Sequence, residues 1–223
     1  MPPIDFELER LRAKLLDMWD LVSFQLESGR EALIKADQPL AKKILKVGKK
    51  VNAYDVKIDR LCENFFALFT PLALDLRTVL AILKINANLE RIGDTAEGIA
   101  HFVEKLEGPL AQDLVELTQV LTMYEEALAM FAECRQAFLD NDTELARQII
   151  KRDKVLNKIF RKSDDLVAGY LGENPANIKE GLMLLSIIKK VERVGDQVTN
   201  IAEEIIFYQD AKVVKHKGKK KKD

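Results

Sequence analysis

The sequence predicts an all-α protein made of two tandem three-helix bundles. A Glu-Arg-apolar-Gly-Asp segment occupies residues 90–94 and recurs at 192–196, 102 positions further on. Around the first copy the apolar residues follow steps of three and four, and each position is again apolar when 102 is added. No stretch shows the strict alternation that is typical of a β-strand. One long amphipathic helix is therefore present twice, within a longer internal repeat.

The first half of the repeat, residues 1–107, contains three helical patterns. The first covers about 5–36 and is broken at Asp37-Gln38-Pro39, where Asp37 is a candidate N-cap for the second helix. The second pattern is a heptad of apolar residues from Ile44 to Leu68. Thr70-Pro71 then predicts the cap and first turn of the third helix.

The second half, residues 108–211, repeats this order. It begins after Gly108-Pro109 with a helix over about 110–140, followed by a cap at 141–142 and a second helix from 143 to about 170. Six helices of about 30 residues would each be roughly 45 Å long. Because short turns join them, they must run antiparallel, and three of them can enclose one apolar seam. We expect two elongated bundles of six long helices in all.

Charge is unevenly distributed along the chain. The 223 residues carry a net charge of -1, yet residues 212–223 alone hold seven lysines and one aspartate. We expect this tail to be disordered. The remaining acidic body argues against a specific nucleic-acid-binding fold.

Other sequence features place the chain in the cytoplasm. Cys62 and Cys134 are isolated and indicate neither a disulfide framework nor a thiolate metal site. The acidic N-terminus lacks a signal-peptide core, and no apolar run reaches the roughly 18 residues of a membrane span. We expect a cytoplasmic protein without a membrane span.

Each copy of the repeated helix has a glycine near its middle, Gly93 and Gly195. A glycine in a helix interior costs about 1 kcal/mol relative to alanine. Two glycines at one repeat position predict that neighbouring atoms approach the backbone closely there.

Acidic residues form a stripe beside the apolar seam of the first half. Glu90, Asp94 and Glu97 follow one another at steps of four and three on the third helix, and Asp55 and Asp59 form a shorter stripe on the second. If these helices pack antiparallel, the carboxylates face each other across a surface groove. Like charges at that range raise one another's pKa unless a cation lies among them. Oxygen ligands of this kind suit Mg²⁺, Mn²⁺ or Fe³⁺ better than zinc.

The second half has fewer of these carboxylates. Glu192 and Asp196 repeat the third-helix pair, and Asp164 matches Asp59, but Phe160 stands at the position of Asp55. We therefore expect a second metal site to be weaker than the first. The alternative for both halves is a solvated acidic helix face without metal.

At these residues the sequence resembles the PhoU family of phosphate-uptake regulators. The resemblance spans about 5–210 and includes the segment Asp75-Leu76-Arg77 and both Glu-Arg-apolar-Gly-Asp copies. It implies paired three-helix bundles, a homodimer, and metal ions (Fe, Mn or Mg) on the carboxylate motifs. It further implies a non-enzymatic negative regulator that links the ATPase subunit of a phosphate ABC transporter to a membrane sensor histidine kinase.

Two other functions fit the helical pattern. The first is a carboxylate-bridged di-iron-like oxidase or iron store, which the shortage of histidine and the surface position of the stripe oppose. The second is a helical scaffold that binds no metal. Neither a catalytic triad nor a glycine-rich phosphate loop is present in the sequence.

Overall fold

The computed structural model describes residues 3–211, and within that range it contains helices and no β-strand. The all-α prediction is confirmed. The helices are α1 (Ile4–Lys35), α2 (Gln38–Leu68), α3 (Leu74–Val103), α4 (Gln112–Thr118), α5 (Val120–Asp140), α6 (Thr143–Glu173) and α7 (Ile178–Asp210), with a 3₁₀ turn at Pro175–Asn177. The predicted lysine-rich tail, residues 212–223, lies outside the described residues.

Two predicted N-caps are present at repeat-related turns. The Asp37 carboxylate accepts a hydrogen bond from the backbone N–H of Leu40 at 2.9 Å. In the second half the Asp142 carboxylate accepts one from the N–H of Leu145, also at 2.9 Å. Each cap satisfies a backbone donor that the first turn of a helix leaves unpaired. These caps mark where α2 and α6 begin.

The predicted start of α3 is wrong. Thr70 and Pro71 lie in the reversal between α2 and α3, and the helix begins at Leu74 after Ala73 with φ 44° and no side-chain cap. The backbone N–H of Phe69 still bonds to the carbonyl of Phe65 at the end of α2. The chain therefore needs the intervening residues to turn back before α3 can start.

The predicted helix over 110–140 is also wrong as a single element. It is divided into α4 and α5 at Gln119, which adopts a left-handed φ of 55°. The buried Thr118 hydroxyl donates back to the carbonyls of Leu114 at 2.9 Å and Val115 at 3.2 Å. Such back-bonding competes with the helical pattern and favours a bend. The second half thus has four α-helices where three were expected.

The two halves share one hydrophobic core. Helices α1–α3 pack against one another, α5–α7 do the same, and the halves meet through α3 against α7 and α1 against α5. Trp19 on α1 is fully buried and contacts the rings of Phe131 and Phe138 on α5 at centroid distances of 5.5 and 5.9 Å. Helices α2 and α6 lie at the two outer edges. The predicted boundary at residue 107 stays a prediction, since the core runs across it.

Helices α3 and α7 run antiparallel at the centre of the molecule. Lys84 pairs with Glu204 at 3.1 Å, and Lys190 lies against Gly98, so rising numbers on α3 meet falling numbers on α7. The repeated acidic segments therefore lie at the same height. Since α2 flanks α3 and α6 flanks α7, each segment borders its own outer helix.

The repeated glycines lie where helices approach closely. A Cβ atom on Gly93 would lie 3.0 Å from Oε1 of Gln25 and 3.2 Å from Cγ1 of Val51. On Gly195 it would lie 2.7 Å from Cδ1 of Leu156. The geometry agrees with the predicted close approach in both halves.

We expect the Gly195→Leu variant to lose about 1–3 kcal/mol of unfolding free energy, because the new side chain must displace Leu156. Gly169 is a matched control, since it is an exposed α6 residue at which an added Cβ atom would meet nothing within 4 Å. Gly169→Leu should instead gain roughly 0.5–1 kcal/mol from helix propensity. Urea unfolding followed by circular dichroism measures both, and equal stability of the two variants would contradict the packing argument.

Candidate functional site

The groove between α2 and α3 brings the predicted aspartates of the first half together. Fully buried Asn86 on α3 donates its side-chain amide to Oδ1 of Asp55 at 2.7 Å and to Oδ1 of Asp59 at 3.0 Å. The same nitrogen lies 3.1 Å from the backbone carbonyl of Asp55. One buried amide therefore positions both α2 carboxylates, and sequence reasoning missed it.

Glu90 joins these carboxylates from α3. Burial raises the pKa of Glu90, and the charges of Asp94 and Asp55 raise it further against the opposing charge of Arg91. The pKa of Asp55 is likewise raised, first by burial and then by Asp59, while its bond to Asn86 lowers it. Because Asp94 also acts on Asp55, the α2 and α3 carboxylates form one interacting group, as the sequence predicted.

Glu97 lies one turn beyond Asp94 on α3 and covers a glycine of α2. A Cβ atom on Gly48 would overlap Oε1 of Glu97, so a larger residue there would displace this carboxylate. Burial raises the pKa of Glu97, and Asp94 adds to this effect while His101 opposes it. His101 itself is exposed and lies 3.1 Å from Glu104. We call Asp55, Asp59, Glu90, Asp94 and Glu97 the first acidic groove.

The first acidic groove is not neutralised by any ion pair among residues 3–211. None of its five carboxylates forms an ion pair with a described lysine, arginine or histidine. Oδ1 of Asn86 is buried there without a hydrogen-bond partner. The groove thus concentrates negative charge and leaves one buried acceptor unsatisfied, which favours a cation or a donor group as its ligand.

The second half builds its groove from a different set of residues. Asp153 on α6 faces Glu192 and Asp196 on α7, and the three form what we call the second acidic groove. Burial raises the pKa of Asp153, with Asp196 adding to it and a hydrogen bond from Asn157 opposing it. Burial also raises the pKa values of Glu192 and Asp196. Oδ1 of Asp153 is a further buried acceptor without a partner in the described part of the chain.

Asp164, the predicted α6 carboxylate, is exposed. The charges that raise the pKa of Glu192 are those of Asp196 and Asp153. The structure therefore joins Glu192 and Asp196 to Asp153, whereas Asp164 lies 11 residues, about 16 Å, further along the same helix.

A signal for the two missed residues was present in the repeat. With the second helices offset by 105, Asp153 falls at the position of Gly48, while Glu97 plus 102 is Thr199. The carboxylate at the position of Gly48 is therefore Glu97 of the third helix in the first half and Asp153 of the second helix in the second half. Asn86 plus 102 is Ile188, so Phe160 and Ile188 stand together at the positions of Asp55 and Asn86.

The charge repulsion in the first acidic groove predicts a pH-dependent effect of Asp94→Asn. A carboxyl whose pKa is raised by folding holds its proton longer in the folded state, so stability falls as pH rises from the ordinary value toward the raised one. The charge of Asp94 raises the pKa of Asp55, Glu90 and Glu97. Replacing Asp94 with asparagine should therefore increase Tm at pH 7 in metal-free buffer. Near pH 4 the gain in Tm should shrink, because carboxyls with an ordinary pKa of about 3.9–4.3 become protonated there.

Thermal melts of the two proteins in the presence of a chelator measure this effect. Glu27→Gln is the control, because Glu27 is exposed on α1 and lies outside both grooves. A Tm gain that is independent of pH, or equal in the control, would contradict the repulsion argument.

The donor set of the grooves fits a hard cation, although the site is not preformed. Carboxylate and amide oxygens are the ligands that Mg²⁺, Mn²⁺ and iron accept. Among residues 3–211, however, no three histidine, cysteine, aspartate or glutamate side chains are gathered closely enough to hold a metal ion. Binding of a metal would have to draw these side chains together.

Two packed helical halves with an acidic groove on each define a tandem helical-repeat protein with a surface site. The sequence pattern of the PhoU domain matches residues 15–103 and again 120–205. The chain belongs to the PhoU family.

Curated relatives and solved structures extend this similarity over nearly the whole chain. A phosphate-specific transport system accessory protein PhoU homolog from a Burkholderia species is 33% identical over 95% of this chain and 91% of its own length. The phosphate-specific transport system accessory protein PhoU of Escherichia coli K12 is 31% identical over 95% and 87%. The crystal structure of PhoU from Pseudomonas aeruginosa superposes with a TM-score of 0.88 at 31% identity, covering 94% of this chain and 100% of that one. The phosphate transport system regulatory protein PhoU from Streptococcus pneumoniae gives a TM-score of 0.85 at 28% identity, covering 95% and 99%.

Proposed function

We propose that this protein is an accessory protein of phosphate transport that represses phosphate uptake and the phosphate-starvation genes when phosphate is plentiful. The observation that carries the proposal is the similarity to phosphate-specific transport accessory proteins across both repeats. In this proposal it acts in the cytoplasm as a homodimer. It links the ATPase subunit of a phosphate ABC transporter to a membrane sensor histidine kinase.

The chemistry of the described residues supports a regulator rather than an enzyme. Both cysteines are buried, and burial raises the pKa of Cys62 to about 12 and that of Cys134 further still. Neither thiol supplies a thiolate nucleophile near neutral pH. No helix in residues 3–211 is long and apolar enough to cross a membrane.

Deleting the gene tests the regulatory function. In phosphate-rich medium the deletion strain should express phosphate-starvation genes that the parent strain represses. A reporter fused to such a promoter measures this, with the complemented strain as control. Normal repression in the deletion strain would show that the regulatory function is wrong and would favour a structural scaffold.

The proposal includes metal binding in the acidic grooves, with Asp55, Asp59, Glu90, Asp94 and Glu97 as ligands in the first and Asp153, Glu192 and Asp196 in the second. It is supported by uncompensated carboxylates and by one orphaned buried oxygen in each groove. Bound metal would neutralise the groove and so set the charge that a partner meets. The first groove has five carboxylates against three and should bind more tightly.

Metal titration of Asp94→Asn and Asp196→Asn tests this part. Added Mn²⁺ should raise the Tm of the parent protein by mass action. The gain should be largely lost in Asp94→Asn and mostly kept in Asp196→Asn. Equal losses of the Tm gain in the two variants would contradict the ranking of the grooves. An unchanged Tm of the parent protein, with no metal in elemental analysis, would favour the helical scaffold that binds no metal. Oxygen consumption with ferrous iron would instead indicate the oxidase.

A further inference from the structure

The outer faces of α2 and α6 carry exposed cations that the acidic grooves do not use. On α2 we define the α2 strip as Lys42, Lys46, Lys49, Lys50, Lys57 and Arg60. All six side chains are exposed, and at 100° per residue they fall within about 100° of one another, opposite the buried face. From the first to the last they span about 27 Å of helix.

These cations have no acidic partner within the described structure. No ion pair in residues 3–211 involves an α2-strip side chain, although eleven ion pairs form elsewhere. Lys42 and Lys46, and Lys46 and Lys50, are four residues apart, a spacing at which like charges destabilise a helix. The strip therefore opposes the folding of α2, within a protein whose body is otherwise acidic.

The second half repeats the arrangement. Its α6 strip comprises Lys151, Lys154, Lys158, Arg161 and Lys162, which are exposed and likewise outside every ion pair of the described residues. With the offset of 105, Lys46, Lys49 and Lys57 correspond to Lys151, Lys154 and Lys162. Two copies with the same charge at the same positions are a stronger signal than one solvated face.

The fold places the two strips at opposite edges. Helix α2 packs on α1 and α3, whereas α6 packs on α4, α5 and α7, and the four central helices separate them. One flat surface, such as a bilayer, cannot meet both strips at once. Two elongated acidic protein segments can, one along each edge.

We propose that the α2 strip is a docking surface for an acidic helical segment of a protein partner, with the α6 strip as a second such surface. The matching charge supplies register and steering along the helix. The inference deepens the proposed adaptor function and rests on it, because an adaptor needs two separate surfaces.

The binding test uses the full chain and a fluorescein-labelled helical peptide of glutamate and alanine, about 18 residues long to match the strip. The α2 variant replaces Lys42, Lys46, Lys49 and Lys57 with glutamine, which keeps helix propensity. The control removes the same charge from the tail through Lys219→Gln, Lys220→Gln, Lys221→Gln and Lys222→Gln. Circular dichroism confirms that both variants remain folded.

At low ionic strength we expect the α2 variant to bind the peptide at least about tenfold more weakly, with a smaller salt dependence, and the tail variant to stay within about threefold of the parent. A larger loss in the tail variant, or no binding by the parent, would overturn the proposal. Phosphatidylglycerol vesicles and a single-stranded oligonucleotide are measured in parallel. If only one of these shows the α2 dependence, the occupant is lipid or nucleic acid and the proposal is wrong.

The same α2 variant in the deletion strain separates this inference from the proposed function. We expect it to leave phosphate-starvation genes on in phosphate-rich medium, as the deletion does, while the tail variant represses them. If the deletion derepresses and the α2 variant represses normally, the regulatory function stands and the docking surface is refuted. If the deletion itself represses normally, the regulatory function fails, and the peptide result still decides the surface.

Discussion

Replacing Trp19 with alanine is expected to lower the free energy of unfolding by about 3–5 kcal/mol. Trp19 is fully buried between α1 and α5 and touches Phe131 and Phe138 across the contact between the halves. Its removal leaves a cavity that rigid helices on both sides fill only in part. The loss should appear in urea unfolding followed by circular dichroism, since Trp19 is the single tryptophan and its fluorescence disappears.

Phe6→Ala is the matched control for this variant. Phe6 lies on the same helix but is 60% exposed, so its truncation should change stability by no more than about 0.5 kcal/mol. Because the core is continuous across the halves, Trp19→Ala should still unfold in one transition. Two separate transitions would show that the halves are independent domains. A loss equal to that of Phe6→Ala would contradict the packing role of Trp19.

Reversing the charge of the α3 stripe, through Glu90→Lys, Asp94→Lys and Glu97→Lys together, is expected to abolish repression in phosphate-rich medium. Moving a partner almost completely between two states needs a differential binding free energy of about 5.5 kcal/mol. One exposed ion pair supplies roughly 0–1 kcal/mol, so single substitutions should act weakly. The triple variant changes six charge units in the first acidic groove and removes three proposed metal ligands.

A promoter reporter in the complemented deletion strain measures this result. The control reverses three exposed acidic residues outside the grooves, Glu27, Glu107 and Glu173, with the same change in net charge. The corresponding glutamine variant of the stripe guards against misfolding from lysines at the half-buried positions 90 and 97. Normal repression by both stripe variants, or derepression by the control, would show that the groove has no specific role.

The order and nature of the long helices follow from the sequence alone, because helix formation depends on local periodicity and end signals. Steps of three and four predicted α1, α2, α6 and the core of α3 and α7, and Asp37 and Asp142 marked two helix starts. The doubled Glu-Arg-apolar-Gly-Asp segment indicated the repeat, the family and two carboxylates of the first acidic groove, and helical spacing added Asp55, Asp59 and Glu97.

Where packing outweighs local preference, only the tertiary structure determined the helix boundaries and the residues of the site. The backbone turns left-handed at Gln119, a break that no periodicity reveals, and α3 begins at Leu74 because the reversal needs the residues before it. The membership of the second acidic groove depends on which α6 carboxylate lies level with Glu192 and Asp196 on α7. Two differences between the halves, Asp153 at the position of Gly48 and Thr199 at that of Glu97, place this carboxylate on the second helix instead of the third. Sequence spacing defines the face of one helix, whereas the contact between two faces is set by the packing of both.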